Sequence, residues 1–514
     1  MQHDITDMDN ITELDRVQSS PGQNVIPHNT FVLNDYLVTS YYVDGITIHD
    51  AKHPQNLIEV AAYDTYPGQT PTYDGSWGVY PYLPSGIILA SDRSEGLYIL
   101  QPDYQRASYL EGTITNQNDG NPIGNVSVDI VGNNQENLSS SVGFYATGMP
   151  AAGTYDVTYF KVGYESQTIS TEISQGNITV QDVALAPITP FSLLVNVEDI
   201  FGNPIQNAKI KLEHPLITYE GETNGLGQEV FSLFYEDLHS LQVGKWGYIT
   251  ECYEDFSLLL DAGTATLTVV LQNGNYDDFT FDFGWTVSGG VTSPNDGIWQ
   301  RGNPEGTDYN GSNFNPENDI SNDCYDYAYV TGLESGSSVG DRDVDDANTI
   351  LTSPIFDLSS SLNNQKYYLN YNIWFNNDFP SWGGGTPAND SITVKITNGV
   401  FVSTLDVITS NSPNLGQWNS KSFDLSQYIS LNNTMQIIIE TADWDFLDGH
   451  WVEGGFDKFE ITSQAPSLIS NTINENRELV KVVDLLGKTS NFKANSLIFY
   501  IYDDGSVEKK IAVK

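Results

Sequence analysis

The residues best suited to chemistry are five oxygen-bearing side chains within one short acidic loop, residues 340–349. They are Asp341, Asp343, Asp345, Asp346 and Asn348. Calcium takes about six to eight oxygen ligands from carboxylates, carbonyls and waters, so such a loop can supply much of a calcium site. Glu453 and Asp457, near a later strand of the same block, would complete the ligand set across a sheet edge. The spacing is not that of an EF-hand, because the loop lacks the terminal Glu that an EF-hand requires.

The alternative for this loop is a merely solvated acidic surface. The chain has 67 acidic and 21 basic residues among 514, and its formal net charge is −46. This charge excludes nucleic acid and anionic membranes as partners, because both require basic patches. No window of about 18 apolar residues occurs, so we expect no membrane insertion.

Three tryptophans are candidates for a ligand-binding platform, namely Trp382, Trp444 and Trp451. Trp382 lies in a Gly-rich loop, and Trp444 lies in a second acidic run, residues 443–448. Exposed aromatic rings can stack on the apolar face of a sugar while nearby amides and carboxylates bind its hydroxyls. The alternative is that these tryptophans cap the core.

Motifs for catalysis are absent from the sequence. The seven histidines form no His-Glu-x-x-His zinc helix, and neither a Gly-x-Ser-x-Gly elbow nor a phosphate loop occurs. His49 and His53 have helical spacing, but a predicted strand precedes them and Pro54 follows them. We therefore expect no enzymatic activity and assign no catalytic residue.

The chain has two cysteines, Cys252 and Cys324, and they fall in different predicted domains. We therefore expect no disulfide between them. The first residues are polar and acidic and lack the apolar region of a signal peptide. We expect that the chain lacks its true start.

An all-β, multidomain fold is predicted from short alternating runs that are separated by turn residues. In residues 1–105 the runs are 30–33, 36–41, 45–50, 57–60, 86–92 and 96–100, a pattern typical of propeller blades. On residues 28–29, 41–45, 63–66 and 77–86, this segment resembles the end of the choice-of-anchor B family, which implies part of a β-propeller. A propeller needs at least about four blades, and too few are present, which also indicates a missing start.

Residues 108–187 and 191–273 form an internal repeat. Residues 120–128 match residues 202–210, and residues 161–164 match residues 245–248. Alternation at Val126, Val128 and Ile130 predicts strands of a two-sheet sandwich. Both copies resemble the carboxypeptidase regulatory-like domain, which implies a prealbumin-like β-sandwich without catalytic function.

Residues 276–463 form the largest block, in which residues 390–396 alternate cleanly. On residues 343–345, 351–358, 367–371 and 452–457, the block resembles the MAM-like or jelly-roll modules of secreted bacterial proteins. The resemblance implies a jelly-roll sandwich.

The tail follows a Ser/Asn-rich linker, residues 464–475, and extends over residues 476–514. Its strand-turn-strand pattern resembles the C-terminal sorting domain of the type IX secretion system of Bacteroidetes. The matching residues are Gly487, Lys488, Tyr500, Tyr502, Asp504, Gly505, Lys509 and Lys510. The resemblance implies that the secretion translocon of the outer membrane is a partner.

Together these features predict a secreted, cell-surface-displayed protein without catalytic function that binds a glycan or a surface protein, with calcium as its cofactor. One alternative is the accessory region of a secreted hydrolase such as a peptidase or glycosidase. A second alternative is a structural surface-layer component.

Overall fold

The structure is a computed structural model. It describes residues 1–23, 25–66, 68, 73–135, 137–258, 264–309, 311–320, 323–334, 336, 339–359, 366–378, 388–443, 449–463, 479–484, 489, 496–502 and 507–512. These residues form two compact units, Met1–Pro190 and Phe191–Lys514. The predicted fold class is confirmed, because the described chain is built almost wholly of strands in many sheets. No helix within the described ranges is both long and apolar enough to span a bilayer.

The first hundred residues form small antiparallel sheets, in each of which a strand pairs with the strand that follows it in the chain. The strands are β1 (Gln2–Asp4) with β2 (Thr12–Asp15), then β3 (Asn29–Leu33), β4 (Tyr36–Tyr41), β5 (Gly45–Asp50) and β6 (Ile58–Tyr63), then β7 (Ser76–Tyr80), β8 (Ile88–Asp92) and β9 (Gly96–Leu100). Val38, Ile46 and Ile88 are buried in their shared core. A hairpin joins β4 to β5, and another joins β8 to β9.

The first sandwich follows in the same unit. Its strands are β10 (Ser108–Asn116), β11 (Ser127–Ile130), β12 (Phe144–Met149), β13 (Gly153–Phe160), β14 (Gln167–Ile173), β15 (Ile178–Val180) and β16 (Val183–Leu185). One sheet has the order β12-β10-β15 with β16 also on β10, and the other has the order β11-β13-β14. Inward-facing Val126, Val128 and Ile130 are all buried, as the alternation predicts.

The second sandwich opens the other unit and repeats this topology. Its strands are β17 (Phe191–Asp199), β18 (Lys209–His214), β19 (Ile217–Glu222), β20 (Gln228–Leu233), β21 (His239–Gly244), β22 (Glu251–Phe256) and β23 (Thr264–Leu271). The sheets are β20-β17-β23 and β19-β18-β21-β22. Asn125 and Asn207, equivalent in the two copies, both adopt φ of 55°, a left-handed conformation that Asn tolerates well. The extra strand β19 is the main difference between the copies.

The large block is a sandwich of two antiparallel sheets. Its strands are β24 (Asn275–Asp277), β25 (Thr286–Gly289), β26 (Trp299–Gly302), β27 (Asp308–Tyr309), β28 (Ser312–Asn313), β29 (Ala328–Thr331), β30 (Asn348–Thr352), β31 (Tyr368–Asp378), β32 (Ser391–Thr397), β33 (Val402–Thr409), β34 (Asn419–Asp424), β35 (Gln436–Ala442) and β36 (Trp451–Thr462). Short 3-10 helices cover Pro294–Asp296 and Leu425–Gln427.

The two sheets of this large sandwich enclose its core. One sheet has the order β26-β29-β36-β31-β34 with β24 also on β36, and the other has the order β25-β30-β35-β32-β33. Phe456 and Ile373 from the first sheet and Ile392 and Ile439 from the second are fully buried between them. The central pairing of β31 with β36 therefore fixes which side chains face away from the core.

The expectation for the cysteines is wrong, because Cys252 and Cys324 form a disulfide with their Cα atoms 5.7 Å apart. The second sandwich packs against the large sandwich at this place, as Trp246 also shows. Its ring stacks on Phe459 at 5.6 Å between centroids, and its Nε1 donates a hydrogen bond to the Ile355 carbonyl at 2.8 Å. Assignment of the cysteines to separate domains therefore did not imply separation in space.

In the tail, β37 (Leu479–Asp484), β38 (Ser496–Tyr502) and β39 (Val507–Ala512) form an antiparallel sheet in chain order. The predicted linker, residues 464–475, lies outside the described residues.

Candidate functional site

Strand β36 places two acidic residues on the outer face of its sheet. From Glu453 to Asp457 its register with β31 is regular. Side chains on a strand alternate between the two faces, and Phe456 faces the core. Glu453 and Asp457 therefore share the opposite face, four residues or about 13 Å apart along the strand. Both are buried, with exposed fractions of 4% and 0%.

The first group, which we call the Asp457 cluster, comprises Asp319, Asp323 and Asp457. One carboxylate oxygen from each lies within 4.8 Å of the others. The amides of Ile320 and Lys458 donate to the two oxygens of Asp457 at 3.0 and 2.7 Å. These backbone bonds fix the orientation of Asp457.

Electrostatics in the Asp457 cluster are dominated by like charges. Burial together with the neighbouring carboxylates raises the pKa of Asp457 well above its ordinary range, and burial raises the pKa of Asp319 and Asp323 as well. The buried side chain of Asp278 adds a further negative charge close by, and Lys458 provides a partial counter-charge for Asp323. Oδ2 of Asp319 and Oδ2 of Asp323 are buried without a hydrogen-bond partner in the described part of the chain. The cluster therefore contains carboxylate oxygens that accept no hydrogen bond from the described residues, and little positive charge balances it.

A covering segment, residues 314–320, places Asp319 over the sheet. Trp374 Nε1 and Asn376 Nδ2, on the outer face of β31, both donate to the Phe314 carbonyl at 3.1 Å. Trp418 Nε1 donates to the Asn318 carbonyl at 2.9 Å. Gly455 lies beneath this segment, where an added Cβ would lie 2.8 Å from the ring of Trp418. Close packing on this glycine lets the segment approach the sheet.

The second group, which we call the Glu453 cluster, comprises Asp343, Asp345, Asp443 and Glu453. Thr331 Oγ1 donates to Glu453 Oε2 at 2.7 Å, and the Val452 amide donates to Asp343 Oδ2 at 3.2 Å. Burial and the charge of Asp343 raise the pKa of Glu453 well above its ordinary range. Burial and Asp345 do the same for Asp343, and burial and Asp443 raise the pKa of Asp345 to about 6. These carboxyl groups therefore also repel one another when ionised.

The Asp457 cluster has both the residue types and the spacing of a divalent-cation site, whereas the Glu453 cluster shares the residue types alone. Calcium binds oxygen ligands at about 2.3 to 2.6 Å, so two ligands on opposite sides of one ion lie about 5 Å apart. The separation of the oxygens in the Asp457 cluster is within this limit. A bound cation would offset the cost of burying several carboxylates together.

The structure divides the seven predicted calcium ligands. Asp343, Asp345 and Glu453 belong to one cluster and Asp457 to the other, while Asp341 and Asp346 are exposed. Asn348 has a different environment, because its Nδ2 donates to Glu440 at 2.8 Å and its Oδ1 accepts from the Gly290 amide at 3.1 Å. Sequence reasoning missed Asp319 and Asp323, which are far from Asp457 along the chain and carry no motif.

A third group of side chains lies close to the Glu453 cluster. Asp390, Asp443 and His450 have ligand-type atoms within 4.8 Å of one another, and all three side chains are deeply buried. His450 Nδ1 and Asp390 Oδ2 are 2.5 Å apart, and the His450 amide donates to Asp443 Oδ2 at 2.9 Å. Asp443 was noticeable in sequence as part of an acidic run, whereas His450 and Asp390 were not.

Of the predicted aromatic platform, Trp382 and Trp444 lie outside the described residues. Trp451 is half-buried, and its ring meets those of Tyr309 and Phe314 edge to face at 5.0 and 5.9 Å. It packs into the surface of the large sandwich and offers only part of its ring to solvent.

Of the predicted sorting residues, Tyr500 and Tyr502 lie on β38, and the backbones of Lys509 and Lys510 lie on β39. Gly487, Lys488, Asp504 and Gly505 lie outside the described residues.

Comparison with known proteins identifies one family within the chain. Residues 109–186 match the carboxypeptidase regulatory-like domain, which confirms the resemblance of the first repeat. No curated protein matches the chain.

Among solved structures, three similar ones are a Streptococcal ancillary pilin, the Bacillus anthracis TIE protein and GBS52, the minor pilin of Streptococcus agalactiae. Their identities are 10, 11 and 12%, and their TM-scores are 0.24, 0.17 and 0.22. The matches cover 48, 79 and 32% of this chain and 80, 69 and 96% of the others. These TM-scores are too low to support any inference about function.

Proposed function

We propose that the chain is a surface-displayed binding protein without catalytic function, whose large sandwich takes up calcium in order to present a ligand-binding surface. The observation that carries this proposal is the Asp457 cluster, in which three carboxylate oxygens lie within 4.8 Å of one another. Hydrogen bonds satisfy Asp457 but leave Oδ2 of Asp319 and Oδ2 of Asp323 without partners among the described residues. Calcium would bind these oxygens and offset their mutual repulsion.

The Glu453 cluster supports a second calcium ion in the same sandwich. Asp343 and Asp345 are close enough to Glu453 to raise its pKa, and Asp345 also raises the pKa of Asp343. These residues come from the loop and the strand that the sequence indicates. Both clusters are connected through β36. Calcium at either position would therefore hold the covering loops against the sheet.

The proposed ligand is a glycan or a surface protein, bound near the loops that the cations order. The proposed route to the surface is type IX secretion, in which the translocon reads residues 476–514. The antiparallel sheet of β37, β38 and β39 is consistent with a compact sorting domain. Fusion of residues 476–514 to a periplasmic reporter in a type IX-secreting bacterium tests the route, and retention of the reporter in the periplasm would contradict it.

Binding to immobilised glycans and to intact cells tests the function. The full chain is compared in calcium and in chelator, beside the variant Asp323→Asn and the matched variant Asp237→Asn, which alters an exposed carboxylate outside both clusters. We expect binding that chelator and Asp323→Asn weaken and that Asp237→Asn leaves intact. Hydrolysis of a ligand by the chain, abolished by one carboxylate substitution, would instead favour the hydrolase alternative.

A further inference from the structure

The first unit contains a cleft of about 470 Å³, within the size range of small-molecule sites. The cleft is lined by the N-terminal segment around β2, by the start of β6, and by the β11–β12 loop and β12 of the first sandwich. Its walls are rich in carboxamide side chains, namely Gln55, Asn56, Asn133, Asn134, Gln135 and Asn137. Carboxamides both donate and accept hydrogen bonds, as the hydroxyl groups of a sugar require.

Hydrogen bonds to the main chain hold part of this wall in place. Asn56 Nδ2 donates to the Thr147 carbonyl at 3.0 Å, and Asn133 Nδ2 donates to the Gly148 carbonyl at 3.1 Å. Asn133 Oδ1 accepts from the Gln135 amide at 2.9 Å. Gln55 and Asn134 are exposed within the same lining. The fixed side chains of Asn56 and Asn133 lose little conformational entropy when a ligand binds beside them.

The internal repeat shows that the fold itself does not require this wall. In the second sandwich, β18 continues through a tight turn into the regular strand β19. In the first sandwich, β11 is followed by residues 131–135, which belong to no strand and include Asn133 and Asn134. The two copies thus differ where the first copy lines the cleft.

The charge of the cleft indicates which ligands it accepts. Asp15 and Glu59 line it together with the single cation Arg16, which is paired with Glu13. Glu59 Oε2 is buried without a hydrogen-bond partner among the described residues, 3.5 Å from Nε2 of the buried His49. Burial and Asp44 raise the pKa of Glu59 to about 7. An anionic ligand is disfavoured here, whereas a neutral polyhydroxylated ligand finds donors and acceptors.

We infer that this cleft binds a neutral oligosaccharide through the carboxamides of Gln55 and Asn134. Half-buried Phe144 in the lining offers an aromatic ring to the apolar face of a sugar. An extended peptide is a poorer fit, since peptides pair with sheet edges and place alternate side chains in apolar pockets. This site lies in a different unit from the two carboxylate clusters and does not depend on them.

Isothermal titration calorimetry of the full chain tests the inference. The probes are neutral tetra- to hexasaccharides of the glucan, mannan, xylan and chitin classes, each titrated in calcium and in chelator. We expect at least one class to bind in both conditions. The double variant Gln55→Ala with Asn134→Ala should weaken this binding by about tenfold or more, because it removes the hydrogen bonds of both carboxamides to the sugar.

Two further variants make the result decisive. Asn134→Trp should abolish binding by filling the cleft, while Gln101→Ala, an exposed carboxamide outside the lining, should leave affinity within about twofold. An unaltered melting temperature establishes that each variant is folded. The inference would be overturned if none of the oligosaccharides bound, or if the Asn134→Trp variant still bound one of them. Binding of a neutral peptide in place of sugars, blocked by Asn134→Trp, would overturn it in favour of peptide recognition.

Discussion

Glu453 and Asp457 lie four residues apart on one face of β36 and belong to two different clusters of buried carboxylates. Asp343 and Asp345 lie near Glu453, and Asp319 and Asp323 lie near Asp457. A strand in the centre of the large sandwich therefore contributes one residue to each of two carboxylate clusters, at positions about 13 Å apart. Within each cluster the carboxylates repel one another when they are ionised.

Stability without calcium should fall as pH rises. The pKa values of Asp345, Asp343, Glu453 and Asp457 are raised in the folded state, so this state binds protons more tightly than the unfolded chain. Their favourable contribution is complete below the unfolded pKa near 4 and is lost as pH rises from there through the folded values, a loss that is complete near pH 6 for Asp345. We expect the melting temperature in chelator to fall by about 5 °C or more between pH 5 and pH 8.

The same melting series in calcium provides the control for this prediction. Calcium binds the ionised carboxylates, so the decline should become smaller or disappear. A melting temperature in chelator that is constant or rises across this range would show that the clusters do not repel as argued.

Substitution of Asp323 by Asn should have opposite effects with and without calcium. In chelator it removes one of the repelling charges of the Asp457 cluster, so the melting temperature should stay the same or rise by a few degrees. In calcium it removes a ligand, so the stabilisation by the ion should shrink by about 1 kcal/mol or more. Differential scanning calorimetry of Asp323→Asn beside Asp237→Asn measures both. If Asp323→Asn lost the same stability in chelator and in calcium, the substitution would only have disturbed packing, and Asp323 would not be a calcium ligand.

Loss of the Cys252–Cys324 disulfide should destabilise the second unit. Its residues are 72 apart in sequence, so the bond restricts a long loop in the unfolded chain. The double variant Cys252→Ser with Cys324→Ser should lower the free energy of unfolding by about 2 to 4 kcal/mol, measured by urea unfolding. Mass spectrometry of the parent chain without reductant provides the control, and two free thiols there would contradict the bond.

Much of the fold could be predicted from the sequence because strand alternation is a local pattern. Val126, Val128 and Ile130 alternate and are all buried, and the matching Asn-Pro turns identify the second copy of the sandwich. The disulfide was missed, since no local pattern reports which domain surfaces pack together.

Only some of the residues of the candidate site could be predicted from the sequence. Asp343, Asp345 and Glu453 stand in acidic or strand contexts that suggest a cation site. Asp319 reaches Asp457 only because Trp374, Asn376 and Trp418 tie the covering segment to the sheet. Such tertiary placement carries no periodic signal in the sequence.

Calcium titration of the full chain by isothermal calorimetry at pH 7.5, beside Asp323→Asn and Glu453→Gln, tests the central claim most directly. We predict calcium binding whose stoichiometry falls by one site in each variant, since each variant removes a ligand from a different cluster. An absence of calcium binding by the parent chain, or binding that neither variant changes, would contradict the claim that these carboxylates form cation sites.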